Sequence, residues 1–397
     1  MPRGVNIIGP LRSTLGLGES ARRVQEAFLQ GDIPHSIVYE THMHGIPRHY
    51  PVLEGISLGY HHDVSLYCIH PALLPSFIAS QGWKTCKKKY TIGFLYWETD
   101  TLSPEAIRGL EYLNEVWVAS TYLKEVFSRS TSLPVTILPF PQPLLPLPPP
   151  RQKGTPYTFL YIFDYFSVIS RKNPQAAILA FQHAFPRERA DVKLILKTSN
   201  VEHHATQQAE LRQLARGDER IIFIDTILNG ADLIQLMASC DCYLSPHRAE
   251  GLGLTLLEAM SLGKPVIATG YSANCDFMNT ENSLLCSYEL IDVGNNIACY
   301  AGHGRWADIS LNDLSQKMAW VAHHPDEAAQ IGEKGRQTIA HNHRTEDLAQ
   351  AITERLALLP ASIPTKRKPR AILKHQLLRL LNRFRSSQKE KIDKATG

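Results

Sequence analysis

Short apolar runs that favour β-strands alternate with helical segments along most of this chain. Runs of this kind, bounded by turn residues, are typical of strands that are buried on both faces of a sheet. Because helical stretches separate them, they predict a parallel sheet with right-handed helical crossovers. In the first part of the chain the predicted strands are Val5–Gly9, Ser36–Tyr39, Val64–Ile69, Thr91–Trp97, Glu115–Ala119 and Val135–Leu138.

The same pattern starts again after a proline-rich stretch, residues 141–156. Proline continues neither a helix nor a central strand, so this stretch is the predicted linker. We therefore predict an α/β protein with two Rossmann-like domains, residues 1–140 and residues 157–345, whose parallel sheets face each other across a cleft. The predicted strands of the second domain are Thr158–Phe163, Lys193–Lys197, Ile221–Asp225, Asp241–Ser245, Pro265–Ala268 and Ser283–Leu285.

The composition is that of a soluble globular protein, because 44% of the 397 residues are hydrophobic and 20% are charged. The seven cysteines are odd in number, and the close pair Cys240 and Cys242 has no further metal ligand near it in sequence. We interpret them as reduced thiols in a reducing compartment, not as disulfides or a zinc site. Neither a signal-peptide pattern nor an apolar run of transmembrane length is visible, so we predict a cytoplasmic protein.

Charge is concentrated in the last residues of the chain. Residues 361–397 hold 11 Lys/Arg and 2 Asp/Glu, a net charge of +9, whereas the remainder holds 31 and 36, a net charge of −5. A basic amphipathic helix suits an anionic membrane surface, but a helix docked on the protein itself or a solvated end fits the same pattern. No nucleic-acid module accompanies the basic stretch. The apolar residues at helical spacing are Leu373, Leu377, Leu380, Leu381 and Phe384.

Two glutamates stand eight positions apart in the segment Ser245–Met260, with a Gly-x-Gly between them. Glu250 follows a predicted strand, and Glu258 lies inside a predicted helix, Leu254–Leu262. The amino end of such a helix offers unpaired amide hydrogens to an anion. A loop carboxylate beside a phosphate site can hold sugar hydroxyls, and a second carboxylate on the helix can hold a ribose. The segment therefore predicts a site for a nucleotide-sugar.

At these residues the chain resembles the E-x7-E motif of retaining glycosyltransferases with the GT-B fold, in particular family 4, and the likeness continues to Thr269. The resemblance implies an acceptor domain in residues 1–140 and a donor domain in residues 157–345. It also implies that residues 346–360 form a helix that crosses back to the first domain. Glu250 is then expected to orient the donor sugar. The implied donor-binding residues here are Gly251, Leu252, Gly253, Leu254, Thr255 and Glu258.

A pair of cations, Arg171 and Lys172, follows the first strand of the second domain and precedes Pro174, which suits a first helical turn. In the family, a lysine at this location stabilises the leaving diphosphate, often with an arginine a few residues upstream. This chain has no such upstream arginine, so Lys172 takes the role and Arg171 is the candidate for the second charge. The alternative is a solvated Arg-Lys pair at a helix start.

Gly16 and Gly18 follow the first strand and precede a predicted helix, Ser20–Leu29. They resemble the amino-terminal glycine loop of the GT-B fold, which approaches the donor phosphate and the acceptor. A dinucleotide-binding loop would have a third glycine three positions on, where this chain has Ala21. A Rossmann dehydrogenase is therefore poorly supported.

Several further residues at predicted strand ends are expected to line the cleft. His70 stands where many family members contact the sugar with a histidine, although a structural histidine is the more common case. Trp97 and Glu98 resemble polysaccharide-assembling members and are candidates for the acceptor, with a core tryptophan and a capping acid as the alternative. Asn274 lies on a loop that is expected to touch the donor sugar.

Together with these features, the resemblance implies a hexosyltransferase that transfers a sugar, with retention, from a nucleotide-diphosphate sugar to a glycan or lipid-linked acceptor. Polysaccharide or lipopolysaccharide assembly is implied by the resemblance alone. No Asp-x-Asp occurs in the sequence, so neither a metal nor another cofactor is expected. Two alternatives are a nucleotide-sugar epimerase of the same fold and a non-catalytic GT-B partner subunit.

Overall fold

The computed structural model describes residues 3–39, 50, 56–149, 151–152, 154–295, 297, 299–300 and 302–363. Within them, six parallel strands form a first sheet in the order β2-β1-β3-β4-β5-β6. β1 is the strand on which β2 and β3 pair from opposite sides. The strands are β1 Val5–Gly9, β2 His35–Tyr39, β3 Val64–Tyr67, β4 Tyr90–Phe94, β5 Glu115–Val118 and β6 Val135–Ile137.

A second parallel sheet of the described residues has the order β12-β11-β10-β7-β8-β9. Its strand order reverses between β7 and β10, and such a reversal is the usual place for a ligand in an open α/β sheet. The strands are β7 Tyr157–Asp164, β8 Val192–Ser199, β9 Ile221–Ile224, β10 Cys242–Ser245, β11 Val266–Thr269 and β12 Leu284–Cys286.

Helices cover the faces of both sheets, as parallel strands require for their crossovers. Central strands such as β1, β10 and β11 are buried at every position, in keeping with their continuous apolar sequences. The helices are α1 Gly16–Gln30, α2 Leu74–Gln81, α3 Lys84–Lys87, α4 Pro104–Leu110, α5 Thr121–Ser128, α6 Ile169–Lys172, α7 Pro174–Ala184, α8 Ala205–Ala215, α9 Gly230–Ser239, α10 Leu254–Ser261, α11 Leu311–His323, α12 Pro325–Asn342 and α13 Thr345–Ala357.

The predicted α/β architecture with two parallel sheets is confirmed, and each predicted strand has a counterpart within a few residues. The start of the first helix was predicted wrongly, because α1 begins at Gly16 and not at Ser20. Gly16 and Gly18 therefore lie in its first turn and not in a preceding loop. A Cβ on Gly18 would come within 2.6 Å of the Ser13 carbonyl oxygen, so this turn is packed on the loop before it.

An antiparallel hairpin was not predicted from the sequence. It consists of β13, Tyr288–Asp292, and β14, Arg305–Ile309. β13 contains Tyr288, Leu290 and Ile291, but its sequence has neither a continuous apolar run nor the strict alternation on which the prediction depends, and all five of its residues are exposed. The segment between the two strands reaches back to the first sheet, as described below.

The chain crosses between the two sheet regions at Phe140–Gln142 and again at His343. The backbone amide of Gln142 donates to the His343 carbonyl oxygen at 2.8 Å, and His343 Nδ1 lies 2.7 Å from the Phe140 carbonyl oxygen. Beyond this crossing, α13 packs on α1 and Arg355 forms an ion pair with Glu115 of β5 at 2.7 Å. The two crossing segments are thus hydrogen-bonded to each other.

The amphipathic helix predicted around Leu373 to Phe384 of the basic tail, residues 361–397, lies outside the described part of the chain, which ends at residue 363. In the part that is described, no helix combines the length and apolar character needed to span a bilayer. Cys68, Cys86, Cys240, Cys242, Cys275, Cys286 and Cys299 are all free thiols.

Candidate active site

The candidate site lies where the order of the second sheet reverses. Glu250 follows β10, and Arg171 and Lys172 follow β7, the strand that pairs with β10. Because the carboxyl ends of neighbouring parallel strands meet at one edge of the sheet, residues 78 and 79 positions apart in sequence come together there.

Both cations contact the same carboxylate oxygen. Lys172 Nζ lies 2.5 Å from Glu250 Oε1, and Arg171 Nη1 lies 3.3 Å from it. Arg171 Nη1 also donates to the Ala249 carbonyl oxygen at 2.8 Å, while Arg171 Nε is buried without a partner among the described residues. The structure thus brings together Glu250, Lys172 and Arg171, the three charged residues predicted for this part of the site.

The backbone on either side of α6, the short helix that carries both cations, is unusual. Val168 and Asn173, on either side of this short helix, have φ angles of 62° and 53°, in the left-handed region. Such angles are uncommon outside glycine, and for a β-branched valine they indicate strain. The turn is fixed by the Tyr161 hydroxyl, which donates to the Lys172 carbonyl oxygen at 2.5 Å. Sequence spacing alone did not anticipate this geometry.

Glu250 is ionised in this setting. Burial by itself would raise its pKa, but Lys172 and Arg171 outweigh that effect and lower the pKa to about 2. An ionised carboxylate is an acceptor only, with lone pairs for hydroxyl donors. Glu250 is therefore suited to bind hydroxyl groups of a ligand and poorly suited to deliver a proton.

The loop between Glu250 and α10 packs tightly against the first sheet. A Cβ on Gly251 would lie 3.1 Å from Tyr96 Cβ and 3.3 Å from the Trp97 carbonyl oxygen. Gly253 precedes the helix with φ of 89° and provides no side-chain cap, so the first amides of α10 stay available to an anion. Across from them, a Cβ on Gly16 would lie 3.5 Å from Leu254 Cδ1. Both sheet regions thus border this helix end, which Thr255 and buried Leu252 also flank.

Glu258, the residue predicted to hold a ribose, is contacted by an arginine that sequence reasoning missed. Arg23 of α1 places Nη2 2.8 Å from Glu258 Oε1. Burial raises the pKa of Glu258, and Arg23 offsets part of that rise. No motif surrounds Arg23, and the two residues are 235 positions apart, so the sequence gives no signal of the pair.

Trp97 is part of the core in this structure, with 0% of its surface exposed. Its ring lies 5.3 Å from the His70 ring and 5.4 Å from the Tyr300 ring, centroid to centroid. The indole nitrogen donates to the Thr99 hydroxyl at 2.8 Å. Neighbouring side chains thus cover the ring that was predicted to stack on an acceptor sugar.

His70 immediately precedes a short 3-10 helix, Pro71–Leu73, and lies between the two sheet regions. Its Nε2 is 4.0 Å from Cys299 Sγ, which belongs to the segment between β13 and β14. Burial and the nearby Arg171 lower the pKa of His70, with a partial offset from Glu98. His70 is therefore neutral at physiological pH and can donate or accept a hydrogen bond.

Glu98 is half-buried, and Tyr300 of the β13–β14 segment donates a hydrogen bond of 2.5 Å to its Oε2. The predicted acceptor residues are thus covered by a side chain from the second sheet region. Tyr300 was missed because the hairpin itself was not recognised in the sequence.

Asn274 is fully buried and fully bonded. Its amide donates to the Thr269 carbonyl oxygen at 3.0 Å, and its Oδ1 lies 3.1 Å from His247 Nε2. The structure places it beneath Glu250, whose carbonyl oxygen accepts from the Ala273 amide at 3.3 Å. Asn274 thus braces the loop that carries Glu250, and its contact with the donor sugar stays a prediction.

Asp276 links the two sheet regions at the edge of the site. Its carboxylate accepts from the Thr121 backbone amide at 2.7 Å and from the Thr121 hydroxyl at 2.5 Å. Thr121 is the first residue of α5, so the carboxylate meets the positive end of that helix.

Among the described residues, no group of three or more His, Cys, Asp or Glu side chains is arranged to hold a metal ion.

Comparisons with known proteins agree with the fold. Residues 164–295 match the family model of the glycosyl transferases group 1. The O-antigen biosynthesis glycosyltransferase WclY of Escherichia coli is 32% identical over 107 residues. That match covers 24% of this chain and 30% of the length of WclY.

Solved structures extend the likeness over most of the chain at low sequence identity. Sucrose-phosphate synthase from Thermosynechococcus elongatus is 14% identical, with a TM-score of 0.67 over 89% of this chain and 98% of that one. Anabaena HepE in complex with UDP and glucose is 14% identical, with a TM-score of 0.64 over 90% of this chain and 100% of that one. The lipopolysaccharide outer core galactosyltransferase WaaB is 14% identical, with a TM-score of 0.61 over 90% of this chain and 100% of that one. The predicted GT-B fold is confirmed.

Proposed function

We propose that this chain, whose residues 164–295 match the family model of the glycosyl transferases group 1, transfers a sugar from a nucleotide-diphosphate sugar to a hydroxyl group of a glycan or lipid-linked acceptor. The observation that carries the proposal is the contact of Lys172 and Arg171 with Glu250 beside the uncapped amino end of α10. This arrangement offers positive charge for a diphosphate and a carboxylate for sugar hydroxyls at one point of the cleft.

The donor is held by groups of complementary charge. The first amides of α10 and the ammonium of Lys172 face the diphosphate, and Arg171 adds a second cation next to them. Glu250 accepts hydrogen bonds from hydroxyls of the donor sugar, and Glu258 accepts them from the ribose. Stabilisation of the charge that develops on the departing diphosphate is the largest catalytic effect expected of such a site.

Transfer proceeds with retention of the anomeric configuration. The bond between the anomeric carbon and the diphosphate oxygen breaks, and the acceptor oxygen bonds to that carbon on the same face. The acceptor proton passes to the departing phosphate oxygen, so the products are a nucleoside diphosphate and the new glycoside. With two cations on Glu250, this carboxylate is a weak base and a weak nucleophile, which favours a route without a covalent enzyme intermediate.

No divalent cation is required in this proposal, because Lys172, Arg171 and the end of α10 take its electrostatic role. A chelator is the direct test. Activity that survives EDTA and does not rise with added Mg²⁺ or Mn²⁺ supports this part of the proposal. Loss with EDTA and recovery with a metal contradicts it.

The acceptor belongs to a cell-surface polysaccharide or lipopolysaccharide in this proposal. Support comes from the partial match to an O-antigen glycosyltransferase. The basic residues 361–397 then hold the enzyme on an anionic membrane surface at its cytoplasmic side. Co-sedimentation with phosphatidylglycerol vesicles, but not with phosphatidylcholine vesicles, is the expected result. A chain that stays in the supernatant with both contradicts the membrane role.

The first experiment is a calorimetric titration with UDP, GDP, ADP and their sugars. One nucleotide class is expected to bind the wild type and to be lost in Lys172→Ala and in Glu258→Ala. Lys124→Ala, an exposed lysine on α5, is the matched control and keeps the binding. If no nucleotide binds the wild type, the transferase proposal fails and a non-catalytic GT-B partner is favoured.

An epimerase of the same fold also binds a nucleotide-sugar, so binding does not separate the two activities. Incubation of enzyme with the donor alone, followed by NMR of the sugar region, does. A new nucleotide-sugar in the absence of an acceptor identifies an epimerase, whereas free nucleoside diphosphate and hydrolysed sugar fit a transferase that lacks its acceptor.

A further inference from the structure

Arg23 connects three segments of the chain through one guanidinium group. Its Nε lies 2.9 Å from Glu19 Oε1 on α1, and its Nη2 lies 2.8 Å from Glu258 Oε1 on α10. Its Nη1 donates to Gln142 Oε1 in the segment that joins the two sheet regions. Only 6% of Arg23 is exposed, so these bonds are shielded from solvent.

The contact with Glu258 leaves one carboxylate oxygen for a ligand. Arg23 takes Oε1, and no described residue donates a hydrogen bond to Oε2. Charge-assisted bonds to an ionised carboxylate are roughly twice as strong as neutral ones, and a protonated carboxyl group loses much of that capacity. Ribose hydroxyls therefore need Glu258 to be ionised and held at a fixed orientation.

Arg23 is the cation that favours ionised Glu258. Burial raises the pKa of Glu258, Arg23 lowers it, and the like charge of Glu19 raises it. Glu19 has a second cation, Arg22, at 2.6 Å, whereas Arg23 alone forms an ion pair with Glu258 among the described residues. On the elements packed on α10, Tyr243 of β10 is neutral because burial raises its pKa, and Arg336 of α12 donates to the carbonyl oxygens of Leu145 and Ser261. α12 also carries Asp326, Glu327, Glu333, Lys334 and His341, and among the described residues none of them forms a hydrogen bond or an ion pair with Glu258.

Arg23 is also linked to the place where the chain crosses between the sheets. Gln142, its partner, donates its backbone amide to the His343 carbonyl oxygen at 2.8 Å. Gln142 Nε2 lies 3.5 Å from the Ser261 hydroxyl at the end of α10. A rotation of one sheet region against the other would therefore change the contact between Arg23 and Glu258.

We propose that Arg23 is a positioning residue for the nucleotide, which holds Glu258 ionised and oriented from the opposite side of the cleft, so that ribose binding depends on the relative placement of the two sheet regions. This inference rests on the proposed function, in which Glu258 binds ribose. Arg23 acts through Glu258 and through the crossing segment, and it needs no contact with the reacting atoms.

The test is a titration of UDP, GDP and ADP across a pH range of about 5.5 to 8.5 with four proteins. In Arg23→Met, nucleotide affinity falls about tenfold or more, and the loss is largest at the acidic end because Glu258 is protonated more readily. Arg23→Lys restores the alkaline part of the profile. Arg22→Met is the matched control, since it removes a neighbouring cation from Glu19 and leaves the contact with Glu258; it keeps the wild-type profile.

Two results overturn the inference. In the first, Arg23→Met binds the nucleotide as tightly as the wild type does at every pH. In the second, Arg23→Met loses the same factor of nucleotide affinity at every pH and Arg23→Lys does not restore it, which indicates a purely structural role. If the wild type binds no nucleotide, the proposed function fails first. A double-mutant cycle of Arg23→Met and Glu258→Gln in urea unfolding then tests the pair directly, and an absence of coupling at neutral pH refutes it.

Discussion

The hydroxyl of Tyr300 donates a 2.5 Å hydrogen bond to Oε2 of Glu98, from the β13–β14 segment to the end of the first sheet. Beneath this pair, the Tyr300 ring contacts fully buried Trp97 at a centroid distance of 5.4 Å. Tyr300 thus occupies the carboxylate that was predicted for acceptor hydroxyls and covers the neighbouring ring. Tyr300 lies between the strands of a hairpin of the second sheet region, so this region covers Glu98 and Trp97 of the first.

Removal of this cover is expected to admit water to the bound donor. In Tyr300→Ala, release of nucleoside diphosphate without any acceptor rises several-fold, because exclusion of water favours transfer over hydrolysis. Tyr300→Phe keeps the ring and loses only the hydroxyl, so its hydrolysis rate stays near that of the wild type. Tyr288→Ala, on the exposed strand of the same hairpin, is the control. Equal hydrolysis in all four proteins contradicts the role of the ring.

Lys172→Met removes the cation that is closest to Glu250, at 2.5 Å. We expect kcat to fall by about 10²–10³, the usual effect of losing one group that stabilises developing charge. KM for the donor is expected to rise as well, because Lys172 is also proposed to bind the diphosphate before the reaction, although Arg171 remains 3.3 Å from the same carboxylate. Steady-state rates against donor concentration separate the two parameters. A variant that keeps its kcat and loses only affinity would place Lys172 in ground-state binding alone.

The sequence was sufficient to predict the strands of both parallel sheets, because strands that are buried on both faces consist of continuous runs of apolar residues. It was also sufficient to predict that Glu250 and Lys172 lie close together, since both follow strands whose carboxyl ends meet at the point where the strand order reverses. It failed at β13, where every residue is exposed and no period marks the strand. Tyr300 was lost with it, because its contact with Glu98 depends on the hairpin.

Arg23 was missed for a different reason. Its helix is amphipathic, and an arginine on such a helix is normally expected to be exposed to solvent, whereas only 6% of Arg23 is exposed. Arg23 is buried by α10 of the other sheet region, and the sequence around Arg23 does not indicate that contact. The burial of Trp97 was missed for a related reason. A tryptophan at the end of a strand is expected to be accessible to a ligand, and the residues that cover Trp97 are distant from it in sequence.

Gly251→Ala tests the close approach of the loop that carries Glu250 to the first sheet region. The added Cβ would lie 3.1 Å from Tyr96 Cβ and 3.3 Å from the Trp97 carbonyl oxygen, closer than ordinary contact. Crowding of this kind typically costs about 1–3 kcal/mol, so the unfolding temperature and donor affinity both fall. Gly230→Ala is the matched control, because its nearest atom, Tyr50 Oη, is 3.9 Å away. Equal unfolding temperatures of the two variants contradict the tight packing.

The ion pairs of Glu250 predict how stability depends on pH. Its pKa is about 2 in the folded chain and 4.5 without interactions, so folding favours the ionised form. This stabilisation is fully present above pH 4.5 and is lost as pH falls toward the folded pKa, because the unfolded chain binds the proton first. Its upper limit is roughly 3 kcal/mol at neutral pH, from about 1.4 kcal/mol for each pKa unit. Urea unfolding of wild type and Glu250→Gln at several pH values measures it. We expect the difference between the two free energies of unfolding to shrink steadily below pH 4.5, whereas a difference that is constant with pH would mean that the carboxylate gains nothing from Lys172 and Arg171.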